Sequence, residues 1–168
     1  MGATEKNLAE EHRAFVPLIA AIERVEGTVG EARLTPIRLE TAGLHESLAH
    51  GLIPHAVGEG RTVFPVLRRV TGSAEISTEM TKEHREIARL TDELEKLREQ
   101  LGRIGLEPSH ERTLTKLLGD LRTALDHHFE AEERVCFQIL RTELDPEEAR
   151  GICEAMEQAT EVVRRNYE

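Results

Sequence analysis

A chain of 168 residues is one ordinary domain, long enough to bury roughly 70% of the surface that its unfolded form exposes. Its 39% hydrophobic and 32% charged residues exclude a disordered chain, and Leu, Ala, Glu and Arg dominate as in all-helical proteins. A formal charge of −10 excludes a general binder of nucleic acid or anionic membrane, because phosphate recognition needs a basic surface.

Apolar residues recur at helical spacing almost throughout. The first predicted helix spans about residues 5–26, with Leu8, Phe15, Ile19 and Ile22 on one face and Gly27 as its stop. A second runs over about 35–70, opened by Thr35 and Pro36 as N-cap and N1 and ended by Thr71-Gly72. Pro54 lies inside it, immediately before His55, and should kink it by removing one backbone hydrogen bond. The third covers about 74–101, ending at Gly102, and the fourth about 109–144. Asp145-Pro146-Glu147-Glu148 gives an N-cap, an N1 proline and an acidic first turn to a fifth helix reaching about 165. Short breaks between long amphipathic helices make antiparallel neighbours. The expected architecture is therefore all-α, an up-down four-helix bundle over about 5–144 with an additional C-terminal helix over about 146–165, all in one domain.

The chain repeats itself. "HAVGEGRTVF" begins at His55 and "HFEAEERVCF" at His128, each reading His, Glu four residues on, then Arg, with Phe at the tenth place. "EHR" occurs around His12 and again around His84, and these precede His55 and His128 by 43 and 44 residues. Two copies of one helical hairpin should thus face each other across a pseudo-twofold axis. An HxxxE pair alone carries little weight; two pairs on one repeat, with matching neighbours, carry much more.

Position on the helices carries more still. On the fourth helix the apolar stripe Leu114, Leu117, Leu121, Leu125 continues through His128 and Glu132 to Cys136 and Ile139. On the second, Leu44, Leu48 and Leu52 continue through His55 and Glu59 to Val63 and Val66. His12 falls between Leu8 and Phe15, and His84 between Met80 and Ile87. Residues at i and i+4 share a helix face, so all six polar side chains should enter the core. One unpaired polar group costs on the order of 1–3 kcal/mol there, and a bare carboxylate far more. Six exceed a net stability of about 5–15 kcal/mol unless something compensates them. A dinuclear metal site does so, and imidazoles with carboxylates suit iron, manganese or zinc.

The order H…HxxxE…H…HxxxE resembles the hemerythrin family of cation-binding bundles, over roughly residues 5–143. "PHAVGEGRTVFP" and "HHFEAEERVCF" are similar to that family's second- and fourth-helix motifs. The resemblance implies two iron ions, with a bridging oxo or hydroxo group. It implies His12, His55, His84 and His128 as terminal ligands and Glu59 and Glu132 as bridges. The oxygen-carrying members have a second histidine four residues after the third-helix ligand, where this chain has Ala88. Their last-helix carboxylate comes five residues after its histidine, whereas Glu132 stands at four. The resemblance is thus to the branch with fewer histidines, whose nearly symmetric site leaves an open position on each iron. Face-to-face openings let peroxide meet both metals, which points to catalase-like dismutation of hydrogen peroxide. The alternative is non-catalytic binding, sensing or scavenging of oxygen, nitric oxide or iron. A core whose His and Glu are satisfied without metal is the remaining option.

The other polar residues have plainer readings. Cys136 is expected to be apolar core, His127 outer-shell or solvated, and His45, His50 and His110 on the surface. Glu11, Arg13, Glu83 and Arg85 are expected to pair on the surface rather than to support ligands. Gly58 and Gly60, flanking Glu59 in mid-helix, suit close packing or a substrate path equally. No apolar run approaches the ~18 residues that span a bilayer, and the polar N-terminal stretch is read as no signal peptide. Cys136 and Cys153 form no CxxC pair, so a cytoplasmic setting is expected, and the 18 Arg against 4 Lys hint at a bacterial source.

Overall fold

The computed structural model describes residues 3–30, 34–103 and 107–166, except the side chains of 3–14, 16, 30, 102 and 103. Among the described residues there is no strand. The first rod is α1, Ala3–Gly30. The second is α2, Leu34–Ser47, a π turn over Leu48–Leu52, and α3, Ile53–Thr71. The third is α4, Glu75–Arg103. The fourth is α5, Pro108–Ala131, a second π turn over Glu132–Cys136, and α6, Phe137–Glu143. The C-terminal helix α7 covers Pro146–Arg165.

Packing closes the rods into a ring: α1 lies against α2 and α5, and α4 against α2, α3 and α5. The bundle and its extra helix are those expected. Helix ends follow local chemistry. Thr71 gives way to Gly72 at φ 67°, a left-handed position that glycine takes without strain. The Asp145 carboxylate accepts from the backbone N–H groups of Glu147 and Glu148 at 2.9 Å, capping α7. His110 also belongs to a cap, its Nδ1 accepting from the Glu107 N–H at 3.3 Å. Gly27 does not end α1, which continues to Gly30, and α2 begins one residue before Thr35.

Pro54 leaves its mark on the backbone that precedes it. With no N–H to give to the His50 carbonyl four residues back, the chain widens just before it into the first π turn, where the Ile53 N–H reaches Leu48. The His50 carbonyl accepts instead from Nε of Arg164 on α7, at 3.1 Å. A proline in the second rod is thereby tied to the fifth helix.

Two apolar clusters fill the interior. One holds Leu52, Ile87 and Leu125 together with the leucines of α2, α4 and α5; the other holds Val63, Met80, Cys136 and Met156. His55 and Glu59 on α3, His84 on α4, and His128 and Glu132 on the fourth rod lie in sequence between members of the two. The apolar stripes thus place one polar layer between two dry ones.

Candidate metal centre

Three helical rods deliver this layer. His55 and Glu59 are one turn apart on α3, with His55 Nε2 3.4 Å from Glu59 Oε1. His84 comes from α4 and places its Nε2 3.3 Å from Glu59 Oε2. On the fourth rod His128 Nε2 stands 3.3 Å from Glu132 Oε1. Glu59, His84, His128 and Glu132 each offer one ligand atom within 4.8 Å of all the others, a grouping able to hold a metal ion. All are buried or nearly so, His128 and Glu132 to 0 and 1% exposure. His12 lies on α1, but its side chain falls outside the described residues.

The chemistry of these atoms favours a cation. His84 Nε2, Glu59 Oε2 and His128 Nε2 are shut from solvent and have no hydrogen-bonding partner. Buried polar atoms in native folds are nearly always satisfied, so an unsatisfied set turned on one point marks a binding site. Burial resists the charge on Glu59, but His55 and His84 outweigh it and hold its carboxyl well below the usual range. Glu132 goes the other way: burial and the neighbouring Glu59 charge push its carboxyl well above that range. Burial likewise lowers His128, against the pull of Glu83, and keeps its imidazole neutral as a ligand must be.

Glu83 corrects the sequence reading. Expected to pair on the surface, it accepts from His128 Nδ1 at 3.2 Å and meets His127 Nδ1 at 3.0 Å, with only 18% of its side chain exposed. Burial opposes its charge, yet the two histidines lower its carboxyl below the ordinary value. Donation from Nδ1 to Glu83 fixes the ring and leaves the lone pair on Nε2, the atom facing the cluster. The periodicity of α4 could not show this, because Glu83 faces α5 and not the bundle axis. The matching "EHR" around His12 was the available signal.

Aromatic rings line the layer. Phe15 meets the His55 ring edge-on at 4.9 Å, Phe64 stacks on His84 at 5.3 Å, and Phe129 lies 5.6 Å from His128. Cys136 is buried in the second apolar cluster, as expected, and burial with the nearby carboxylates pushes its thiol up to about 12. His45, expected on the surface, is partly buried with Nδ1 3.5 Å from Glu95. Of the two mid-helix glycines, Gly58 is a packing residue. A Cβ there would stand 2.4 Å from Thr160 Oγ1 and 3.2 Å from the Met156 carbonyl, both on α7. Gly60 has open space around it.

A helical bundle whose core holds converging, unsatisfied imidazole and carboxylate atoms is a cation-binding protein in its class. The family model described as the hemerythrin HHE cation-binding domain matches residues 4–107, and the chain belongs to that family. The match takes in His12, His55, Glu59 and His84; His128 and Glu132 lie beyond its end and reach the cluster through the fold. No match was found among curated proteins or among solved structures. Among the described residues no helix is long and apolar enough to cross a membrane.

Proposed function

We propose that the chain is a non-haem di-iron protein that dismutates hydrogen peroxide, converting two H2O2 into two H2O and O2. His12, His55, His84 and His128 would serve as the histidine ligands of the two irons, and Glu59 and Glu132 as their carboxylate ligands. The observation that carries this reading is the convergence of unsatisfied His84, His128 and Glu59 atoms beside Glu132 in a buried layer. Iron bound there supplies Lewis acidity and the two-electron redox change that dismutation requires.

The chain's own residues do the rest. Glu83 orients His128 through Nδ1 and keeps Nε2 available. Phe15, Phe64 and Phe129 pack on the imidazoles, limiting bulk water and keeping the electrostatics of the site strong. A buried layer walled by these rings suits a small neutral oxidant. A cytoplasmic, reducing setting accords with two cysteines that form no CxxC pair.

Metal analysis together with oxygen evolution from added peroxide tests the reading. Two irons per chain and turnover are expected, abolished by Glu59→Ala or His128→Ala and retained in Cys136→Ala. Fully iron-loaded protein that releases no oxygen would replace catalysis by binding or scavenging of oxygen, nitric oxide or iron. A stable protein that takes up no metal would remove both.

A further inference from the structure

The helix outside the four-rod ring borders a cleft that His55 helps to line. Helix α7 packs across α3 and α1, and a cavity of about 770 Å³ opens there. Its walls include Phe15, His55, Thr160, Glu161 and Arg164. His55 is thus part of the cleft wall, with Phe15 edge-on beside its imidazole. The volume is in the range of small-molecule sites.

Thr160 departs from its own kind. Nine helical threonines, Thr41, Thr91 and Thr123 among them, turn their hydroxyls to the carbonyl four residues back, at 2.6–3.1 Å. Thr160 does not: its Oγ1 is buried without a hydrogen-bonding partner. It is turned to α3 where Gly58 leaves room, one residue from Glu59. That hydroxyl is shut from solvent, so it seats α7 on α3 behind the cleft wall and does not face the passage. The rim adds two guanidinium and two carboxylate groups that offset one another. Arg164 and Arg165 both pair with Glu161, at 3.5 and 3.0 Å, and Glu157 is the fourth charge. Such a mouth neither concentrates nor repels ions and suits a neutral hydrogen-bonding molecule.

We propose that this cleft, walled by α7 and reaching His55, is the access path to the metal centre. The proposal rests on the di-iron reading above. A path residue alters arrival and departure equally, whereas a distorted site alters affinity. Gln158 is exposed and lines the cleft, so Gln158→Cys labelled with a bulky maleimide narrows the mouth without changing its charge balance. Lys116→Cys, on the exposed face of α5, carries the same label as a control. Azide binding to iron-loaded protein is followed by stopped-flow absorption. The label at 158 should lower the association and dissociation rates together by about tenfold, leaving the dissociation constant unchanged, while the label at 116 changes neither. Unchanged rates in the 158-labelled protein would overturn the access path alone. Failure of the unlabelled protein to hold iron would overturn the di-iron reading and the path with it.

Discussion

Adding one methyl group at Gly58 tests how α7 is seated. In an open helix interior, Gly→Ala stabilises by roughly 0.5–1 kcal/mol. At Gly58 the new Cβ would stand 2.4 Å from Thr160 Oγ1, 3.2 Å from the Met156 carbonyl and 3.4 Å from the Thr160 nitrogen. The hydroxyl can rotate away, but two backbone atoms cannot move without shifting α7. Overpacking of this kind costs roughly 1–3 kcal/mol, so a net loss of about 1 kcal/mol is expected for Gly58→Ala. Gly60 is the internal control: a Cβ added there would find nothing within 4 Å, and Gly60→Ala should gain the full helical benefit. The two variants should therefore differ by about 1–3 kcal/mol in urea unfolding, with Tm separated by roughly 2–4 °C per kcal/mol. Thr160→Ala should recover part of the Gly58→Ala loss, with a coupling of about 0.5–2 kcal/mol in a double-mutant cycle. If Gly58→Ala stabilises as much as Gly60→Ala, with no coupling to position 160, α7 does not cross α3 at this point and the reasoning fails.

Replacing Glu83 separates orientation from coordination: Glu83→Ala should weaken iron affinity roughly 10–100-fold in competition with a chromophoric chelator, and Glu83→Gln less. Metal removal should lower stability, since iron at one hundred times its dissociation constant contributes about 2.7 kcal/mol; thermal scans should show Tm rising with added iron, and His84→Ala should flatten that rise. A thiol pushed up to about 12 stays protonated at pH 8, roughly one thiolate in ten thousand, so Cys136 should resist a thiol reagent until denaturant is added. Rapid modification of Cys136 in native protein would contradict its burial. Arg164→Met should cost about 1 kcal/mol by uncovering the His50 carbonyl, and less in a Pro54→Ala background, where a backbone N–H becomes available to it. Equal costs in both backgrounds would sever the link between Pro54 and α7.

The bundle was legible because its signals are periodic. Stripes such as Leu114 to Leu125 continuing through His128 and Glu132 state at once which face is buried and where it becomes polar. The residues that escaped notice act across helices rather than along one. Glu83 sits beside His84 in sequence, yet its partners are His127 and His128, two residues of another rod. Thr160 reads as an ordinary helical threonine, and only the approach of Gly58 reveals that its hydroxyl points away from its own helix. The π turns were hidden for a related reason. Apolar spacing survives one extra residue per turn, so Leu48–Leu52 and Glu132–Cys136 fit an uninterrupted α pattern.

Those π turns also separate what the repeat made alike. They fall just ahead of His55 in one hairpin but at Glu132 in the other, so equivalent ligands are carried on locally different backbone. Helix α7 deepens the difference by packing on α3 and α1, leaving the cleft at His55, while His128 is buried completely and braced by Glu83. Among the described residues, a site with two equivalent halves in sequence thus has a cleft beside one half, at His55. On the proposed path, a molecule arriving through the cleft meets the His55 side first, with the buried His128 side behind it. If the cleft is the access path, the fifth helix governs approach to a centre to which it supplies none of the proposed ligands.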